Sequence, residues 1–147
     1  MPNPPCFICS LEAAPEAAVV FRDDLWAAEV APGYDVPGWF VLRARRHAEL
    51  LTGLDEPELA ELGRRARDLT AAVQSVTGAP AVYLMSFGEN HRHFHALVAA
   101  RGQDVPEHRR AGAILGMRQD SLDHAAALAL VPTVRQAYER AAGSLSR

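Results

Sequence analysis

The chain of 147 residues is 49% hydrophobic and 22% charged, the balance of one globular domain with enough surface to bury a core. Its net charge of −3 offers no basic footprint for nucleic acid or an anionic membrane, and all 15 basic residues are arginine, which excludes Schiff-base and P-loop lysine chemistry. No apolar run reaches the roughly 18–20 residues of a membrane span, and the opening Met1-Pro2-Asn3-Pro4-Pro5 lacks a leader's basic and apolar regions, so a soluble, cytoplasmic protein is expected.

In chain order, Cys6 and Cys9 come first, followed by a short Ala/Glu stretch over residues 11–18. Residues 19–21 and 25–30 read as two strands joined by the turn Arg22-Asp23-Asp24, and residues 39–42 as a third after the Pro-Gly turns at Pro32 and Pro37. Asp55 or Glu56 then caps a long helix with Pro57 in its first turn, ending at Gly78. Leu59, Leu62, Ala66, Leu69 and Val73 recur three and four apart and give that helix its core face. Residues 81–87 and 93–99 read as two further strands, and residues 106–142 as short helices broken at Gly116 and Pro132. Neighbouring strands and one dominant helix predict an α+β domain with an antiparallel sheet of about five strands. Residues 1–105 form its main body and residues 106–147 a C-terminal helical extension.

Three of the six histidines form the row His91-Arg92-His93-Phe94-His95. Strand side chains alternate, so an extended row puts all three imidazoles on one face. Such a row serves either a metal site with an open position or nucleophilic attack by one neutral imidazole that its neighbours assist. Cys6 and Cys9 stand at zinc-ligand spacing, and a tetrahedral site needs two more donors. His47 and one histidine of the row complete such a set; a redox pair instead belongs at a helix start in a βαβ unit, a context this sequence lacks.

The run His91-Arg92-His93-Phe94-His95-Ala96-Leu97-Val98 resembles the signature of the histidine-triad (HIT) superfamily. The preceding Cys-x-x-Cys, the Pro-Gly-turn strand ending in Arg45-Arg46-His47, and the helix beginning near Leu54 match as well, so the likeness spans residues 6–101. The resemblance implies a HIT-like α+β fold, commonly a homodimer, that cleaves or transfers nucleoside phosphates through a covalent nucleotidyl-histidine. It implies His93 as nucleophile and His95 as hydrogen-bond donor to the phosphate or leaving group. In the zinc-containing branch it implies Cys6, Cys9, His47 and His91 as ligands of a structural zinc ion. Asn90, Glu89, Trp39 and Arg101 are the candidate substrate contacts.

The sequence departs from the pattern at three places. Trp39 follows Gly38 where many relatives carry histidine, Ala31 stands where nucleotide binders carry a ribose-binding acid, and Phe87-Gly88 replaces a Gln and Ser before the triad. Asp23, Asp24, Glu29 or Asp35 are candidates to restore ribose contacts. The expected function is a hydrolase or nucleotidyltransferase acting on a phosphoramidate or phosphoanhydride of a nucleotide conjugate. Its rivals are an enzyme of specialised metabolism with a non-nucleotide substrate, a zinc-stabilised binding module with an inactive triad, and a metal hydrolase with zinc on His91, His93 and His95. His108 and His124 show no partners in the sequence.

Overall fold

Five strands account for the centre of the molecule: β1 (Val19–Arg22), β2 (Trp26–Glu29), β3 (Trp39–Ala44), β4 (Ala81–Met85) and β5 (His95–Arg101). The computed structural model describes residues 5–143, so the opening read at residues 1–4 and the last residues of the expected extension, 144–147, lie outside it. The sheet is antiparallel throughout, in the order β1-β2-β3-β5-β4. Asp23 makes the first turn, accepting from the Leu25 and Trp26 amides at 2.9 Å each, which holds β1 against β2.

The helices are α1 (Phe7–Ser10), α2 (Glu56–Thr77), α3 (His124–Ala129) and α4 (Val131–Gly143). Asp55, not Glu56, caps α2. Its carboxylate accepts from the Glu58 amide at 3.0 Å while Glu58 accepts from the Asp55 amide at 2.8 Å, a reciprocal capping box. Gly78 stops the helix at φ +65°, a conformation that favours glycine.

β3 is central, so both of its faces are covered and every residue in it is buried. Phe40 and Leu42 face the main core with Leu69, Ala72 and Val73 of α2 and Val131, Val134 and Tyr138 of α4. Trp39 and Val41 face the opposite layer, where Ile8 and Leu11 near α1, together with Ile114, close over the sheet. Each such side chain contributes roughly 1.5–3 kcal/mol through burial.

The α2 stripe is buried at Leu69 and Val73 and partly buried at Leu62 and Ala66, whereas Leu59 is exposed and its neighbour Glu58 is the buried residue of the first turn. Gly116 does not break the C-terminal segment. A 3-10 helix runs through it over Ala111–Gln119, and the interruption falls at residues 120–123 instead. Pro132 sits in the first turn of α4, where its missing N–H costs nothing. β5 begins at His95, two residues later than the strand expected from residue 93.

Candidate metal and catalytic site

β5 pairs with β3 so that His95 lies opposite Arg43 and Leu97 opposite Val41. Before His95 the chain leaves the ladder: His93 makes one isolated bridge with Glu49, and the Phe94 amide donates to the Ala48 carbonyl at 2.7 Å. The histidine row is therefore not one extended strand. Four residues of strand span about 13 Å, yet the His91 and His95 ring centroids are 6.1 Å apart. His91 has folded back beside His95 and lies against the Phe7 ring at 5.1 Å.

His93, 1% exposed, is drawn into the interior. Its Nε2 lies 2.5 Å from the Ala44 carbonyl oxygen, which can only accept, so Nε2 carries the proton and Nδ1 the lone pair. That lone pair faces two thiols, with Nδ1 3.5 Å from the Cys6 Sγ and 3.3 Å from the Cys9 Sγ. His47 Nδ1 lies 3.3 Å from the Cys9 Sγ, and all four donor atoms fall within 4.8 Å of one another. Tetrahedral zinc with its usual bond lengths spaces its ligands about 3.3–3.8 Å apart, so Cys6, Cys9, His47 and His93 fit structural zinc. Burial and the Cys6 thiol push the Cys9 thiol above its ordinary value; a bound cation reverses that balance.

Two site expectations change with this geometry. The fourth donor is His93 and not His91, because the row turns between them. His93 also has neither ring nitrogen left to attack a substrate. Cys6, Cys9 and His47 form one four-donor cluster together with His93.

His95 has the opposite arrangement. Its Nδ1 lies 2.7 Å from the His93 carbonyl oxygen, so Nδ1 carries the proton and Nε2 is left with a bare lone pair. Burial pushes this imidazole below its ordinary value, which favours its neutral form. The same cause depresses His93.

His95 lines a cleft of about 210 Å³ with Phe7, Tyr34, Met85, Leu97 and Leu115 among its walls. Gly88, Glu89, Asn90 and His91 also line this cleft. A second cleft of about 430 Å³, lined by Leu50, Leu51 and Leu62, meets the first at Phe87, Gly88 and His95.

Two expected contacts are not there. Trp39 is 1% exposed within the core layer under α1, paired with Ala99 and away from the cleft. Arg101 ends β5, about 20 Å along the strand from His95, beside Tyr83.

The C-terminal extension supplies cleft residues that carry no sequence motif. Leu115 and Arg118 come from the 3-10 helix, and the Arg118 guanidinium stacks 3.8 Å above the Tyr34 ring while its Nε donates to the Gly33 carbonyl at 2.8 Å. His124 has a partner after all, with its Nδ1 2.9 Å from an Asp35 carboxylate oxygen.

None of the acids considered for ribose contacts lines the cleft. Glu29 is fully buried against Arg43 at 2.6 Å, Asp35 is taken by His124 and the Gly33 amide, and Asp23 by its turn and Arg65. Ala31 is buried in the core. Among the described residues lining the cleft, Glu89 is the one carboxylate.

Solved structures share this architecture. A hypothetical histidine triad nucleotide-binding protein from Sulfolobus tokodaii superposes with a TM-score of 0.71 at 20% identity, over 92% of this chain and 93% of that one. A zinc-bound histidine triad family protein from Mycobacterium smegmatis gives 0.70 at 13% identity, over 95% and 96%. The chain has the histidine-triad fold. A uridylyltransferase structure also matches, with a TM-score of 0.66 at 25% identity over 92% of this chain, which spans 45% of that longer protein. No family model and no curated protein matches the sequence. Among the described residues, no helix of this histidine-triad fold is long and apolar enough to cross a membrane.

Proposed function

We propose that this protein is a histidine-triad-fold enzyme that cleaves the phosphoramidate or phosphoanhydride bond of a nucleotide conjugate, with His95 as the nucleophile. The observation that carries this reading is the His95 imidazole itself: Nδ1–H is fixed on the His93 carbonyl, and Nε2 is bare in a cleft. Nε2 attacks phosphorus, and the bond to the leaving nitrogen or oxygen breaks with its electron pair remaining on that atom, which takes a proton from water. Water, or an acceptor hydroxyl in a transferase, then attacks phosphorus and gives up its proton to solvent, the P–N bond breaks, and its electrons return to the imidazole. The Asn90 amide and the backbone of Gly88 and Glu89 supply donors to the phosphoryl oxygens, as suits an anionic transition state.

Zinc in this reading is structural, since four protein donors close its coordination sphere. Its ligands hold the backbone at residue 93, and that backbone holds His95. The homodimer implied by the resemblance has an available edge in β4, the last strand of the sheet, where Leu84 is exposed. Sedimentation equilibrium tests it directly.

A second reading keeps the covalent chemistry and changes the substrate to a non-nucleotide conjugate. The buried Ala31 and the commitment of Glu29 and Asp35 to other partners favour it, because no carboxylate remains there for ribose hydroxyls. Intact-mass spectrometry of protein quenched during turnover with adenosine 5′-phosphoramidate and a diadenosine polyphosphate separates the two. An added nucleotidyl mass on the wild type, absent from His95→Ala, supports the first reading. Zinc-loaded protein without adduct or turnover on either compound favours the second.

A further inference from the structure

The signature expects a hydrogen-bonding side chain two residues beyond the nucleophile, on the same face of the strand. With His95 as the nucleophile that position is Leu97, which lines the cleft and has no donor to offer. The structure places another imidazole beside His95, from the loop before β5. We infer that His91, folded back from the loop before β5, is a catalytic residue that donates a hydrogen bond to the group transferred to His95.

Three features support this role. His91 and His95 line the same cleft with ring centroids 6.1 Å apart and planes inclined by 59°. One phosphoryl group seated on Nε2 spans that gap with donor contacts of about 2.6–3.2 Å. His91 is positioned by packing: its ring rests on Phe7 at 5.1 Å. A neutral or protonated imidazole carries at least one N–H, so this cleft-lining ring has a donor to offer. His91 is also not needed by the metal, whose four donors come from Cys6, Cys9, His47 and His93.

The turn between His91 and His93 is what makes this possible. A strand-borne donor stands on a rigid ladder, whereas His91 stands on the rim segment Gly88-Glu89-Asn90-His91, which also borders the second cleft at Gly88. The donor and the neighbouring polar rim thus belong to one loop.

The inference rests on the covalent reading of His95, and the test separates the two. Wild type, His91→Ala, His91→Gln and the double variant His91→Ala/Leu97→His are each mixed with adenosine 5′-phosphoramidate, and the rate of nucleotidyl labelling is followed by rapid-quench intact-mass spectrometry. Loss of one preorganised donor predicts labelling slowed roughly 100–1000-fold in His91→Ala. His91→Gln, which keeps an N–H, recovers a large part of the rate, and Leu97→His restores a donor in the double variant. Zinc content stays at one per chain in all four. Labelling of His91→Ala at the wild-type rate overturns the inference while leaving the His95 reading intact.

If the wild type is not labelled, the His95 reading fails on that substrate, and inorganic phosphate becomes the probe. Imidazole nitrogen resonances of His91 and His95 are then expected to move together on titration. Movement of His95 alone, or of neither ring, overturns the inference.

Discussion

The Nδ1 of His95 donates to the backbone carbonyl of His93 at 2.7 Å, while the side chain of His93 joins Cys6, Cys9 and His47. In the proposed mechanism one residue thus serves the metal set with its ring and the nucleophile with its main chain. The consequence is a mechanical linkage in which whatever fixes His93 also fixes the tautomer and aim of His95. Zinc can then influence the reaction without touching the substrate.

Metal content follows from this directly. His93→Ala and Cys9→Ser are expected to lose zinc, and His91→Ala to retain one zinc per chain. Because binding energy at a structural site is folding energy, the first two also lose stability that is large against the roughly 5–15 kcal/mol of a domain this size. Elemental analysis with thermal melts checks both. Loss of zinc from His91→Ala contradicts the ligand set.

The sheet beneath the site holds a buried ion pair. Arg43 donates to Glu29 through Nε at 3.0 and 3.1 Å and through the outer nitrogen at 2.6 Å, with both side chains fully buried. Removing one partner leaves the other buried charge with only a longer contact, Glu12 at 3.3 Å for Arg43 or Arg22 at 3.4 Å for Glu29. Glu29→Ala or Arg43→Met is expected to cost about 3–5 kcal/mol by urea unfolding, and the double change Glu29→Leu/Arg43→Met distinctly less than the sum. A single-variant loss under about 1 kcal/mol contradicts the pair's burial.

Acid sensitivity has an identifiable source in Glu12. Hydrogen bonds from Arg45 and Arg43, working against partial burial, pull its carboxyl down to about 2. A depressed folded value means the contribution to stability is fully present above the ordinary value near 4.5 and is lost as pH falls toward about 2. The stability difference between wild type and Glu12→Gln therefore shrinks across that window. Urea midpoints of the two proteins measured at several pH values reveal it, and a difference that stays constant down to the acid end contradicts the assignment.

Helix α2 offers a control remote from the site. Asp55→Ala removes the capping bond to the Glu58 amide and is expected to cost about 1 kcal/mol. Zinc content stays unchanged, so metal loss in the site variants is not a general result of destabilisation.

The features legible in the sequence were those written in local chemistry. The Asp55 cap, the Gly78 stop and the hairpin turn at Asp23 depend on residues a few positions apart. The thiol pair and His47 were legible for the same reason, since spacing and residue type carry the signal. The histidine row misleads because strand alternation is only a default. Contacts with Cys6, Cys9 and the Ala44 carbonyl draw His93 inward, and the chain turns before β5 begins. Trp39 is core because β3 is central, a property of strand order that no local pattern shows. Arg118 reaches Tyr34 across most of the chain, and neither residue advertises the contact.

The most direct test of the account is to locate the covalent group. Tryptic cleavage after Arg92 and Arg101 releases residues 93–101 as one peptide containing both His93 and His95. Fragmentation of that peptide from protein quenched with adenosine 5′-phosphoramidate assigns the adduct to one ring. The geometry predicts the nucleotidyl mass on His95, with His93 unmodified. An adduct on His93 would contradict both the metal set and the nucleophile, because that ring cannot bind zinc through Nδ1, donate to Ala44 through Nε2 and attack phosphorus as well.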